Sequence, residues 1–100
     1  MARFLVTYHG QGMPDDPEMM EQAKAAFLAW VDQAGDALVD PGAPVQMVRQ
    51  VASGSPEAPV EIGGYSIIEA DDAEAAAAVL ASHPYVGRGG TLQVNQVLAV

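Results

Sequence analysis

The spacing of apolar and polar side chains divides the chain into segments with strand and helix periodicity. Residues 2–9 alternate with a period of two, which predicts a strand whose apolar face carries Phe4, Val6 and Tyr8. The other face of this strand mixes polar and apolar side chains. This pattern indicates a strand that is partly covered on both faces.

Two segments are predicted to be helices, the first from its three- and four-residue apolar spacing and the second from its high helix propensity. The first is predicted to begin at Asp16 as its N-cap, with Pro17 in the first turn, and to end at Gly35. Its apolar stripe consists of Met20, Ala23, Phe27, Trp30, Val31 and Ala34. The second helix is alanine-rich, is capped by Asp71 or Asp72, and ends at Ser82-His83-Pro84 because the residue before proline disfavours helical geometry.

Three further segments alternate as strands do: Val45 to Val51, Glu61 to Ala70, and Thr91 to Val100. A short extended piece is also expected around Leu38 and Val39, and the loop Gly10 to Pro17 is rich in glycine and proline. The resulting order, strand-helix-strand-strand-helix-strand, predicts an α+β fold of the ferredoxin-like βαββαβ type in one domain over residues 1–100. Two helices then cover one face of an antiparallel sheet.

The uncovered face of such a sheet carries apolar residues. Leu5, Met47, Tyr65 and Ile67 are assigned to it, and a face of this composition is unfavourable in water. A second sheet packed face to face removes the exposure, and a two-fold pair is the simplest closed assembly. The sequence therefore predicts a homodimer.

Charge and composition exclude several classes of partner. Thirteen acidic residues against four basic ones give a net charge of −9, so neither a nucleic acid nor an anionic membrane surface is an expected partner. The chain has no cysteine, which excludes disulfides and thiolate chemistry. No apolar run approaches the ~20 residues of a membrane span, and the opening segment is not a signal peptide. A cytoplasmic protein is expected.

Two histidines and one aspartate are the candidates for acid–base chemistry. His9 ends the first strand, where a neutral imidazole serves either as a base or as a solvated strand end. His83 follows the second helix, where it is either catalytic or a cation favoured by the helix dipole. Asp40 precedes Pro41-Gly42, where it forms a turn or orients a histidine.

Three other side chains are candidates for contacting a substrate. Arg49 lies on an apolar strand face, where it binds a substrate carboxylate or pairs with Glu61 or Glu69. Tyr65 and Tyr8 alternate with apolar residues and place a hydroxyl in a pocket or at the edge of the core. The histidines are not at metal-ligand spacing, so no metal is expected, and no cofactor motif is present.

The second half of the chain resembles the YCII-related domain family. The resemblance is carried by residues 63–72, Gly-Gly-Tyr-Ser-Ile-Ile-Glu-Ala-Asp-Asp, and by His83-Pro84-Tyr85-Val86, Gly90 and the closing Gln93-Val94 strand. It implies a ferredoxin-like fold that dimerises into an α+β barrel. Some members of the family carry a His–Asp pair proposed to be catalytic, with the histidine on the first helix. Here that helix has no histidine, and Lys24 lies near the corresponding position.

Two functions follow from these features. The first is a cofactor-independent acid–base enzyme that acts on a small molecule, with His83 or His9 and Asp40 as the catalytic groups. The second is a non-catalytic module that binds a small-molecule ligand in the same dimer cavity.

Overall fold

The computed structural model describes residues 1–10 and 16–99. They form an α+β fold with four strands and three helices. The elements in chain order are β1 (Ala2–His9), α1 (Pro17–Ala34), β2 (Leu38–Asp40), β3 (Gly64–Ala70), α2 (Ala73–Leu80), α3 (Pro84–Gly87) and β4 (Thr91–Gln96), with one 3₁₀ turn over Gly35–Ala37. The predicted loop Gly10 to Pro17 lies largely outside the described residues, as does Val100.

The strands form one antiparallel sheet in the order β2-β3-β1-β4. The central strand β1 pairs with β3 through Phe4 opposite Ile68, and with β4 through Val6 opposite Val94. The short strand β2 lies at the edge against β3, with a register shift between Leu38 and Asp40. Strands β1 and β3 thus occupy the centre of the sheet.

The helix ends are those that the sequence predicts. The Asp16 side chain accepts a hydrogen bond from the Glu18 backbone at 2.9 Å, and Gly35 ends α1 with a φ of 56°. Of the two candidates for the cap of α2, Asp72 fills the role by accepting from the Ala75 backbone at 2.8 Å.

The core lies between the sheet and the helices. Phe4, Val6 and Ile68 are at most 1 % exposed, and they pack with Trp30 of α1 and Leu80 of α2. The alanines of α2 allow a close approach to the sheet, and Ala76 is fully buried. The buried face of β1, which carries Phe4 and Val6, is the face that the period-two pattern marks as apolar.

The prediction of a strand over Val45 to Val51 is wrong. Beyond one isolated bridge between Pro44 and Gly64, residues 45–62 form no regular structure and are exposed, apart from a partly buried Ile62. Continuing the register of that bridge would place Pro59 opposite Arg49, and a proline has no N–H for a ladder. A two-stranded ribbon without a packed face is also marginal in water. Alternation alone therefore did not produce a strand here.

The remaining strand boundaries differ by small amounts. The second strand of the sheet is the short extended piece at Leu38–Asp40, β3 begins at Gly64 rather than Glu61, and β4 ends at Gln96. Among the described residues, the helices are too short or too polar to traverse a bilayer.

Candidate functional site

A cavity of about 410 Å³ opens between α1, α3 and the end of the sheet where β1 finishes and β3 begins. Such a volume is within the range of small-molecule sites. Helix α1 contributes Met20 and Phe27 to its lining, and α3 contributes Pro84 and Tyr85. The loop Pro41–Pro44 closes another side, so the walls are largely apolar.

Backbone hydrogen bonds fix the loop that borders the cavity. The Gly63 backbone donates to the Tyr8 carbonyl at 2.7 Å, and the Tyr65 backbone donates to the Ala43 carbonyl at 3.3 Å. Gly42 has a φ of +72°, and a Cβ at this position would collide with the Tyr65 carbonyl. The turn after β2 therefore requires glycine, both for its dihedral angle and for the close approach to β3.

His83 lies at one wall of this cavity and is 3 % exposed. It precedes Pro84 and caps α3, because its Nδ1 accepts from the Tyr85 backbone N–H at 3.0 Å. Three aromatic rings surround the imidazole, with centroid distances of 4.4 Å for Trp30, 5.2 Å for Tyr8 and 5.7 Å for Phe27. Burial and these rings hold the imidazole in one orientation.

A chain of hydrogen bonds runs from His83 across the sheet. Its Nε2 lies 2.8 Å from the Tyr8 hydroxyl, which lies 2.9 Å from the Ser66 hydroxyl. Ser66, fully buried on β3, donates to the Pro41 carbonyl at 2.9 Å. The chain thus connects the cap of α3 with the turn after β2.

The direction of this chain follows from its two ends. The Tyr85 N–H can only donate, so His83 Nδ1 carries a lone pair and the proton of the neutral ring is on Nε2. The carbonyl of Pro41 can only accept, so the proton of Ser66 points toward it. Consequently His83 donates to Tyr8, and Tyr8 donates to Ser66. Every proton in the chain has an acceptor.

Burial shifts the protonation of both ring side chains. Desolvation, followed by the nearby charge of Arg88, lowers the pKa of His83 from 6.5 to about 4. Desolvation also raises the pKa of the Tyr8 hydroxyl, although its hydrogen bond with Ser66 opposes that change. Both groups are therefore neutral at pH 7. An imidazolium has no free lone pair, so the hydrogen bond that Nδ1 accepts from the Tyr85 backbone also favours the neutral ring over the cation.

The charged side chains at the cavity are Glu21 and Lys24 of α1 and Arg88, which follows α3. Lys24 and Arg88 have no ion pair among the described residues, whereas Arg3 pairs with Glu69 at 3.2 Å. The Arg88 guanidinium lies over the Tyr85 ring, 5.6 Å from its centroid. Within the part of the chain that the structure describes, the cavity therefore has two basic side chains and one acidic one.

The structure brings together three of the residues that the sequence singled out. His83, Tyr8 and Tyr65 all line the cavity. Tyr8 and His83 are in direct contact, although 75 positions separate them in the chain. Of the two tyrosines predicted to place a hydroxyl in a pocket, Tyr8 is the one whose hydroxyl contacts His83 at the cavity wall.

The other three candidates lie elsewhere. The ring of His9 is hydrogen bonded to Thr7 at 2.8 Å on the uncovered face of the sheet. Asp40 accepts from the Gly42 backbone at 2.8 Å as a turn former, and no hydrogen bond among the described residues joins it to a histidine. Arg49 is exposed in the 45–62 segment, and its expected partner Glu69 pairs with Arg3.

Several cavity residues were not identified as site residues from the sequence. Phe27 belongs to the apolar stripe of the first predicted helix, and Arg88 lies in the glycine-rich stretch 87–90. Lys24 follows Met20 by four positions and precedes Phe27 by three, which places a cation on the apolar face of α1. That mismatch between one side chain and its helix face was the available signal.

Within the described residues, no three histidine, aspartate or glutamate side chains cluster as metal ligands would. No protein-family model matches the chain, and no curated protein has significant sequence similarity to it.

Proposed function

We propose that this protein binds a small molecule with an apolar or aromatic body in the cavity at His83. The observation that carries the proposal is the cavity itself, about 410 Å³ in volume and lined by the rings of Tyr8, Phe27 and Tyr85. Ligand sites of this kind combine apolar walls with a few fixed polar groups. The second lone pair of the Tyr8 hydroxyl supplies such a polar group.

Proton transfer by His83 has less support than binding. The lone pair of its Nδ1 is occupied by the Tyr85 backbone, and its Nε2 proton by Tyr8. A role as a general base requires one of these bonds to open and a ring of low pKa to accept a proton. The acid–base reaction remains a second candidate because His83 and Tyr8 do line the cavity. Turnover of any substrate that persists in both His83→Ala and His9→Ala would eliminate it.

We further propose a ferredoxin-like topology, membership of the YCII-related family and a cytoplasmic homodimer. The sheet order β2-β3-β1-β4 with antiparallel neighbours supports the topology. The uncovered sheet face supports the dimer, because Leu5 lies beside Ile67 on it and is 37 % exposed. Val39 of the edge strand is also exposed. A second sheet packed against this face would remove apolar surface from water.

Binding is tested with a panel of small aromatic compounds, monitored by the amide and ring resonances of the protein in NMR spectra. We expect shifts at Tyr8, His83 and Tyr85. Met20→Ala should weaken binding roughly fivefold, since it removes apolar surface from the cavity wall. Met19→Ala is the matched control, because the neighbouring methionine is exposed and does not line the cavity. Equal loss in the two variants, or no binding at all, would contradict the proposal.

A further inference from the structure

The charges of the cavity contrast with those of the whole chain. The protein has four basic and thirteen acidic residues. Two of the four basic residues, Lys24 and Arg88, line the cavity, whereas Glu21 is the only acidic residue among the described ones that does so. A molecule with a charge of −9 therefore has, among its described residues, a local excess of positive charge at this cavity.

The two cations are also available to a ligand. Neither forms an ion pair among the described residues, and both are exposed side chains. Lys24 comes from α1 and Arg88 from the residue after α3, so two separate elements converge on the cavity. An exposed cation on the apolar face of a helix has no packing role that requires its charge.

The interior of the cavity has the opposite character. His83 is neutral at pH 7, the Tyr8 hydroxyl is neutral, and the protons of the chain to Pro41 have acceptors within the protein. The positive charge of the cavity thus lies on the long side chains of Lys24 and Arg88, while the buried wall consists of uncharged aromatic rings. This separation matches a molecule with an apolar ring at one end and an anionic group at the other.

We infer that the ligand of this cavity is a small aromatic carboxylate. Its ring packs against Phe27 and Tyr85, and its carboxylate lies between Lys24 and Arg88. A guanidinium and an ammonium both donate charge-assisted hydrogen bonds to carboxylate oxygens, with Arg88 able to donate two in parallel. The inference rests on the proposed binding function and specifies the chemical class of ligand that the site takes.

The test compares carboxylates with amides of the same size. Benzoate, phenylacetate and 3-phenylpropionate are each titrated beside the corresponding primary amide, and dissociation constants are obtained from NMR shifts. We expect each carboxylate to bind more tightly than its amide. Lys24→Gln and Arg88→Gln should each weaken carboxylate binding roughly two- to fivefold, as expected for an exposed ion pair, and should weaken amide binding less, so that the preference for carboxylates falls.

Arg49→Gln is the matched control, because it removes an exposed positive charge that does not line the cavity. It should leave the preference for carboxylates unchanged. Equal affinity for carboxylates and amides would overturn the inferred ligand class while leaving the proposed binding function intact. Binding of neither set would overturn both. A preference that falls equally in Arg49→Gln and Lys24→Gln would indicate general charge attraction and would also overturn the inferred site.

Discussion

The properties of individual residues around His83 depend on burial more than on their chemical type. The two histidines of the chain are the same residue in different surroundings: His83 is buried among three rings, and His9 lies on the uncovered sheet face beside Thr7. In the buried position, desolvation disfavours the charged ring and hydrogen bonds occupy both nitrogens. The result is a donor and acceptor of fixed orientation.

Because of His83, the free energy of unfolding should decrease as the pH is lowered below 6.5. A ring whose pKa is about 4 when folded and near 6.5 when unfolded contributes stability that is complete above pH 6.5 and is lost as the pH falls toward 4. The loss is on the order of 3 kcal/mol, at about 1.4 kcal/mol per pH unit. The free energy of unfolding should be measured in urea at pH 7, 5.5 and 4.5. The difference between wild type and His83→Gln should become smaller as the pH is lowered.

The corresponding control is His9→Gln, which should keep the pH dependence attributed to His83. Ring resonances followed by NMR should give His83 a midpoint near pH 4. A midpoint near 6.5 would refute this account.

Removing the Tyr8 hydroxyl should destabilise the fold. Tyr8→Phe leaves the Nε2 proton of His83 without its acceptor and Ser66 without its donor. Leaving buried polar groups unpaired costs about 1–3 kcal/mol. Tyr65→Phe provides the comparison, since the Tyr65 hydroxyl has no hydrogen bond among the described residues, and this variant should unfold within ~0.5 kcal/mol of wild type. Equal unfolding free energies for the two variants would contradict the hydrogen-bonded chain.

At the level of elements, the site depends on the short connections rather than on the long helices. The turn after β2 supplies the Pro41 carbonyl that ends the hydrogen-bonded chain, and α3 supplies the backbone N–H that begins it. Gly90 belongs to the same arrangement, because a Cβ there would collide with the Tyr85 ring. The connections therefore determine the shape of the cavity.

The turn at Gly42 gives a prediction on this scale. Gly42→Ala should cost more than ~2 kcal/mol, since alanine disfavours a φ of +72° and its Cβ would collide with the Tyr65 carbonyl. Gly87→Ala should change the free energy of unfolding little, because no atom lies within 4 Å of the position of its Cβ. Thermal denaturation of both variants measures the difference. A Gly42→Ala protein as stable as Gly87→Ala would disprove the close approach.

For the whole molecule, the outer face of the sheet is the main apolar surface that the helices do not cover. The helices bury one face, while the other presents Leu5 and Ile67 beside polar residues. The 45–62 segment adds exposed apolar side chains, with Val48 and Val51 88 % and 95 % exposed. Both features favour association with a second copy of the chain.

The dimer is tested by light scattering at micromolar concentration. We expect a mass near twice the 10.4 kDa of one chain. Leu5→Glu, on the sheet face, should shift the protein toward the monomer, because it places a charge in the buried interface. Leu28→Glu should leave the mass unchanged, since Leu28 is exposed on α1. A wild-type mass of 10.4 kDa would refute the dimer. If Leu28→Glu dissociates the dimer and Leu5→Glu does not, the interface lies on the helices and not on the sheet face.

Local sequence determined the elements that carry their own signals. The alternation of β1, the caps at Asp16, Gly35 and Asp72, and the proline after His83 are each sufficient within a few residues. These signals operate through neighbouring backbone groups and side-chain periodicity, so they need no distant partner. The same local signals predicted three of the four strands of the sheet and the face of β1 that the helices cover.

Tertiary structure decided the features that depend on residues distant in the chain. The segment Val45 to Val51 alternates like a strand but lacks a suitable partner, so it forms none. Asp40 and His9 have plausible chemistry but lie away from the cavity. His83, Tyr8 and Ser66 meet only because β1, β3 and the cap of α3 converge. A pKa and a cavity arise from packing between distant segments, which no local pattern specifies.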